Sequence, residues 1–324
     1  MALDGFDAKS KDFPDYIIGI TKEIWEDRGI STLLQYYAPT IPVRMPGSLT
    51  IGNVNTIAST MANLAELPDR QLLAEDVIWC GDAQTGFLSS HRGVSLARHV
   101  HDGVYGKATG KTLTYRAIAD CAARNNQIFD EWLIRDQGAI VRQLGLDPKG
   151  YAADLIAREG GPEACVKPFH PRMDVDGGYH SRGNDHPVGQ RHADILTRIM
   201  GADMAAIPRE YDRAVHLCLP GGVTAHGWAA ADQFWMRLRA AFPNAAFEIH
   251  HIIGREDAML PPRAALRWSL TGLHEGWGAF GAPSGAEVHV MGISHAEFGP
   301  WGLRREYVLY DETAIWKQIL LKTG

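Results

Sequence analysis

EWLIRDQGAIVRQLG, residues 131–145, reads as a β-strand that turns into a short helix. Trp132, Ile134 and Asp136 share one face by the alternation of a strand, and Ile140, Val141 and Leu144 then recur at helical intervals. The carboxylate comes last, at the strand's end. The pattern returns as EYVLYDETAIWKQIL, residues 306–320, where Glu306, Asp311, Ala314, Ile315 and Gln318 repeat Glu131, Asp136, Ala139, Ile140 and Gln143. The shift is constant, 311 − 136 = 175, and a shift that long marks a duplicated domain rather than a short repeat.

Carried toward the N-terminus without a gap, the same shift pairs Gly110 with Gly285, His99 with His274, Arg92 with Arg267 and Pro68 with Pro243. It reaches Gly52/Gly227, Gly47/Gly222 and Tyr36/Tyr211 near the start of each unit. Two homologous domains over 14–147 and 190–322, joined by a linker over 148–189, account for the chain. Each is of ordinary domain size.

Within each unit, helices precede strands. In the first, apolar periodicity predicts helices over 15–27, after Ser31, and over 53–67, with a short strand at 43–45. Strands follow over 75–81, 87–100, 112–122 and 128–135, and Asn125-Asn126 signals a hairpin. The second unit repeats this plan, with helices expected over 191–206, 210–217 and 227–241 and strands near 246–253, 263–273, 286–298 and 303–310. Helices first and an antiparallel meander after them make an α+β class. The terminal strand's other face, Phe129 and Leu133 with Val308 and Tyr310, is expected to bring the two sheets together as an intramolecular pseudo-dimer, with a homodimer of such chains left open.

The 324 residues are 45% hydrophobic and 22% charged, enough for two buried cores. A net charge of −6 leaves no basic footprint for nucleic acid. Cys80, Cys121, Cys165 and Cys218 show no CxxC spacing and read as reduced thiols. No stretch has the form of an export signal or the length of a bilayer span, so a cytoplasmic protein without membrane contact is expected. His170, Asp174, Asp176, His180, Asp185, His186 and His192 crowd the linker, but none has the spacing of a metal site, and no metal or cofactor is expected.

Three short helices, a curved antiparallel sheet and a terminal E-W-x-x-x-D running into a helix that ends Q-L-G resemble the SnoaL-like polyketide cyclases. The resemblance covers both halves but not the linker. It implies a nuclear-transport-factor-2-like fold: two cone-shaped domains, each with N-terminal helices packed on a curved sheet. It also implies an enzyme of lyase or isomerase type that closes a ring by an intramolecular aldol reaction. In that family a terminal-strand aspartate is the acid/base, which corresponds to Asp136 here and Asp311 in the second half. Tyr307 departs from the pattern by replacing the tryptophan.

The residues add a chemical reading and a plainer one. Asp136, desolvated beside Trp132 and Ile134, would be a base near neutrality on a hydrophobic or aromatic carbonyl-bearing substrate. Asp136 and Asp311 also each precede a helix, where aspartate caps the N-terminus. His99 or Arg116 is the expected assisting group for an enolate oxygen. Trp79, His91, Arg92, Trp132 and Arg116 are the expected binding residues of the first pocket, and Arg267, His274, His289 and Tyr307 those of the second. Arginine–carboxylate pairing and core histidines are the structural readings of the same groups. An isomerase, dehydratase or hydrolase in the same pocket, or a binding protein without turnover, remains open. The two pockets differ enough, for example Arg116 against Met291, that one is expected to be catalytic and the other structural.

Overall fold

The computed structural model describes residues 3–324. Its first half opens with α1 (Phe13–Thr21), capped by the Asp12 side chain with a proline in the first turn. A single π turn, Lys22–Glu26, continues it. α2 (Leu33–Tyr36), β1 (Pro42–Met45), β2 (Ser48–Ile51) and α3 (Asn53–Glu66) follow. Then come four long strands, β3 (Gln71–Asp82), β4 (Gly86–Arg98), β5 (Thr112–Arg124) and β6 (Gln127–Arg135), and α4 (Gln137–Leu144). Asn125 and Asn126 both take positive φ, 51° and 62°, in the β5–β6 turn, where asparagine tolerates the left-handed conformation. The strand order is β2-β1-β6-β5-β4-β3. β1 runs parallel to β6, and the other neighbours are antiparallel.

After α5 (Pro148–Arg158) the chain crosses to the second half: α6 (Pro187–Met200), α7 (Ala206–Glu210), β7 (Tyr211–Leu219), β8 (Val223–His226) and α8 (Trp228–Ala241). β9 (Ala246–Arg255), β10 (Arg263–Leu273), β11 (Glu287–Gly299), β12 (Gly302–Leu309) and α9 (Glu312–Thr323) complete it. The strand order, β8-β7-β12-β11-β10-β9, repeats the first sheet position for position. The α+β class and the two cone-shaped units are therefore as expected. The helix expected over 210–217 is instead strand β7. Tyr211, Val215, Leu217 and Leu219 all join the core, and this period of two outweighs helical propensity.

Hydrogen-bond register corrects one pairing in the repeat. Val43 lies opposite Glu131 and Leu217 opposite Glu306, so the shift there is 217 − 43 = 174. The β1–β2 turn holds Pro46 and Gly47, whereas the β7–β8 turn holds 220–222. The extra residue restores 175 from Gly52/Gly227 onward. Tyr37, not Tyr36, is thus the counterpart of Tyr211; the two bridge Ile128 and Leu303 respectively.

Helices α1 and α2 pack on the inner face of the first sheet, against Val77, Ala119, Cys121 and Ile128. The outer faces of the two sheets meet. Ile118, Trp132 and Ile134 pack with Met291, Ile293 and Leu309, and Ile78, Leu88 and Ala122 pack with Ile253 and Ala265. This reverses the expected faces. Trp132 and Ile134 point to the other sheet, Leu133 points inward, and Val308 and Tyr310 lie in the second core. Only Phe129 keeps its expected side, because a bulge at Ala122/Ala123 breaks the alternation before Glu131. Both faces of β6 are buried, so hydrophobicity along the strand does not distinguish them.

The seam between the sheets also carries polar groups. His295 accepts from Arg92 at 2.9 Å and meets the Ser90 hydroxyl at 2.8 Å. The Arg92 guanidinium lies 3.5 Å over the Tyr307 ring, and Trp132 is held between Arg44 and Arg267. The linker runs along this seam: Asp174 pairs with Arg44, and the Tyr179 amide donates to Asp130. No helix among the described residues is long and apolar enough to cross a membrane.

Candidate active site in the first half

A cavity of about 370 Å³ lies between the inner face of the first sheet and its helices. Ile17, Ile20, Val77, Ala119 and Leu133 make its walls apolar. Ile18 and Leu73 line it at 42% and 48% exposure and mark its mouth. The corresponding space in the second half is filled. At the 175 shift, Thr60, Asn63, His91 and Gly93 of the first cavity become Trp235, Leu238, Leu266 and Trp268. All four are fully buried in the second core. A Cβ at Gly292 would overlap the Trp268 ring, so that glycine makes room for the plug; its counterpart is Ala117.

Five polar groups distinguish the open cavity. Glu131 is 4% exposed on β6, and one of its carboxylate oxygens has no hydrogen-bond partner. Burial pushes its pKa up to about 7, against a lowering influence from the Tyr37 hydroxyl. His91 reaches the cavity from β4 and is pushed down to about 4 by burial, so it is neutral at pH 7. Arg70 follows α3, donates to Asn63 at 2.6 Å and leaves its Nε unpartnered. Arg135, two residues beyond Leu133 on the inner side of β6, also has a buried Nε without a partner.

Of the residues expected to form a site, only His91 and Arg92 border this cavity. The Arg92 side chain is committed to the sheet seam through His295, Tyr307 and Glu75. Asp136 caps α4 through Ala139 and also accepts from the amides of Gly221 and Gly222, each at 2.9 Å. Burial raises it to about 6. Asp311 caps α9 through Thr313 and Ala314, with burial raising it to about 7. His99 is fully buried on Glu66 and Thr109, and its counterpart His274 on Ser284. Arg116 pairs with Glu75 on the outer face. Trp132, Arg267 and Tyr307 lie in the seam. Trp79 packs on Phe13 and Phe87 beneath Arg255, and His289 bonds Thr271 beside Phe169. Asp136, Arg116 and Tyr307 line a second cavity of about 490 Å³ where the two halves meet, and the remaining positions lie apart from it and from one another. Among the described residues, no three His, Cys, Asp or Glu side chains converge as metal ligands would.

Residues 192–303 match the family model of the SnoaL-like domain. The second half carries a SnoaL-like domain. The first half repeats that SnoaL-like architecture strand for strand. Among solved structures, IdmH of Streptomyces antibioticus, a candidate polyketide cyclase, is 21% identical; the match covers 41% of this chain and 98% of that one, with a TM-score of 0.36. A SnoaL-like polyketide cyclase of Agrobacterium tumefaciens is 18% identical over 41% of this chain and 98% of its own, with a TM-score of 0.33. A candidate SnoaL-like polyketide cyclase of Jannaschia sp. CCS1 is 14% identical over 42% and 96%, with a TM-score of 0.36. No curated protein matches the chain.

Glu131, Tyr37, Arg70 and Arg135 are the cavity residues that the sequence reading left out. One signal for them was present. Glu131, Leu133 and Arg135 form the other alternation of the same strand, and Glu131 recurs as Glu306. Choosing that face required knowing that a second sheet covers the first.

Proposed function

We propose that the first-half cavity performs acid/base chemistry of the polyketide-cyclase type on a hydrophobic, carbonyl-bearing small molecule, with Glu131 as the proton-transfer group. The observation that carries this reading is a buried carboxylate at an apolar cavity wall, titrating near 7, with one oxygen free of partners. Such a group is ionised often enough to act as a base and basic enough to hold the proton it takes. It removes a proton α to a carbonyl, and the electron pair moves onto the carbonyl oxygen as an enolate. The enolate carbon attacks a second carbonyl, forming the ring C–C bond. The resulting alkoxide is protonated, with Glu131 as the proton source. The Tyr37 hydroxyl, paired with Glu131, is the donor available to a developing oxyanion.

The test is deuterium uptake at the α carbon of β-keto esters and polycyclic ketones in heavy water, read by mass spectrometry. Wild type should promote uptake, with a rate that rises with pH through about 7, where Glu131 ionises. Glu131→Gln should lower it by roughly 100-fold or more, and Asp136→Asn should leave uptake per folded molecule intact. Undiminished uptake in Glu131→Gln removes Glu131 from the mechanism. One observation favours a second reading, binding without turnover: Glu306 and Tyr211 repeat the Glu131–Tyr37 pair inside the filled half, at 2.9 Å. Absence of protein-dependent uptake across the panel would select it.

A further inference from the structure

Arg70 and Arg135 stand apart from the other arginines of the first half that are not exposed. Arg44, Arg92 and Arg116 each meet a carboxylate. Among the described residues Arg70 and Arg135 meet none, although Arg70 is only 6% exposed and the Nε of both is buried without a partner. Both line the same apolar cavity. Their like charges act on each other: burial lowers the Arg70 pKa, and Arg135 lowers it further. A buried, uncompensated cation is costly, and folding alone gives no reason to keep Arg70 in the interior with a second, half-buried guanidinium near it.

The second half is an internal control. At the 175 shift Arg70 becomes Ala245, Arg135 becomes Tyr310 and Asn63, which accepts from the Arg70 guanidinium, becomes Leu238. Alignment at Arg70 is secured by matching turns: its amide donates to Leu67, as that of Ala245 donates to Phe242. The architecture therefore forms without either guanidinium.

We infer that the ligand of this cavity is an apolar carboxylic acid whose carboxylate is received by Arg70 and Arg135. Guanidinium forks match the planar, two-oxygen geometry of a carboxylate, and charge-assisted bonds of this kind are the strong ones. Arg135 and Glu131 share the inner face of β6 four residues apart, about 13 Å along a strand. The acid thus enters with its anionic end at the arginines and its apolar body along Leu133. The carbonyl placed at Glu131 makes it a keto acid, and that part alone rests on the function proposed above.

The probe is 6-(2-naphthyl)hexanoic acid, titrated by fluorescence into the full chain beside its methyl ester and the corresponding alkyl phosphate. The acid should bind roughly tenfold or more tightly than the ester. Arg135→Gln and Arg70→Gln should each weaken the acid by about tenfold and leave the ester unchanged. Glu131→Gln should leave acid affinity within about twofold, because it is too far from the carboxylate to couple strongly. That variant separates the two proposals: uptake surviving in Glu131→Gln with arginine-dependent acid binding sinks the base and leaves the carboxylate site. Equal affinity for acid and ester, parallel loss of both in the arginine variants, no binding of either, or tighter binding of the phosphate would overturn the inference. Thermal melts establish folding, and if Arg70→Gln fails to fold, Arg135→Gln alone decides.

Discussion

Asp136 shows how one side chain can tie its own helix to the other half of the chain. Its carboxylate takes three backbone N–H groups, one from its own helix and two from the β7–β8 turn of the other half. Asp136→Ala should cost roughly 2–3 kcal/mol, the loss of a cap together with unsatisfied buried amides, measured by denaturant unfolding. A cost under about 0.5 kcal/mol would contradict that bonding role. The capping reading of Asp136 and Asp311 was legible in the sequence, since both precede helices. The second task of Asp136 was not, because Gly221 and Gly222 lie 85 and 86 residues away. Glu131 was visible as a repeated residue but not as a cavity residue, for the reason that two buried faces alternate alike.

At the scale of elements, α3 and α8 are the same helix put to different uses. α3 turns Thr56, Thr60 and Asn63 toward open space, while α8 turns Ala231, Trp235 and Leu238 into a packed core. Thr60→Trp, which copies α8, should abolish binding of the naphthyl acid while the chain still melts cooperatively; retained binding would show that the cavity is not the ligand site. Trp235→Ala should cost about 3–5 kcal/mol, the range for removing a large buried aromatic, read by denaturant unfolding. Near-zero cost would mean that the second half does not depend on its plug. The order of helices and strands was legible from periodicity. The strand at 211–219 was not, because a short β element beside α7 carries no turn signal strong enough to separate them. Filling was legible only as a difference between halves, Gly93 against Trp268, once the register was known.

At the scale of the whole molecule, the sheet seam buries a histidine whose protonation would oppose folding. His295 is 1% exposed between Ser90 and Arg92, and burial first, then Arg92, His91, His192 and Arg263, hold its pKa well below the ordinary value. A histidine with a depressed folded pKa contributes stability that is complete above about 6.5 and is lost as pH falls below it. Asp120, on the same seam beside His251, is pushed up to about 6 by burial and carries the opposite sign, since its protonated form suits the interior. The melting temperature should therefore fall from pH 7 to pH 5 less steeply in His295→Gln than in wild type. Parallel curves would exclude His295 as a source of acid sensitivity. The duplication and the two-sheet plan were readable from the constant shift. The face that joins the sheets was not, since only the completed contact makes one side of β6 outer.

The one-residue difference between the β1–β2 and β7–β8 turns has a consequence for how such a molecule changes over time. In a pair of identical subunits every substitution arrives twice, so a residue that plugs one cavity plugs both. A tandem chain is released from that symmetry. Trp235 and Trp268 can occupy one interior while Thr60 and Gly93 keep the other open, and the longer turn can offer its two glycine amides to Asp136 without a reciprocal contact being required. Joining the copies end to end makes them free to become different.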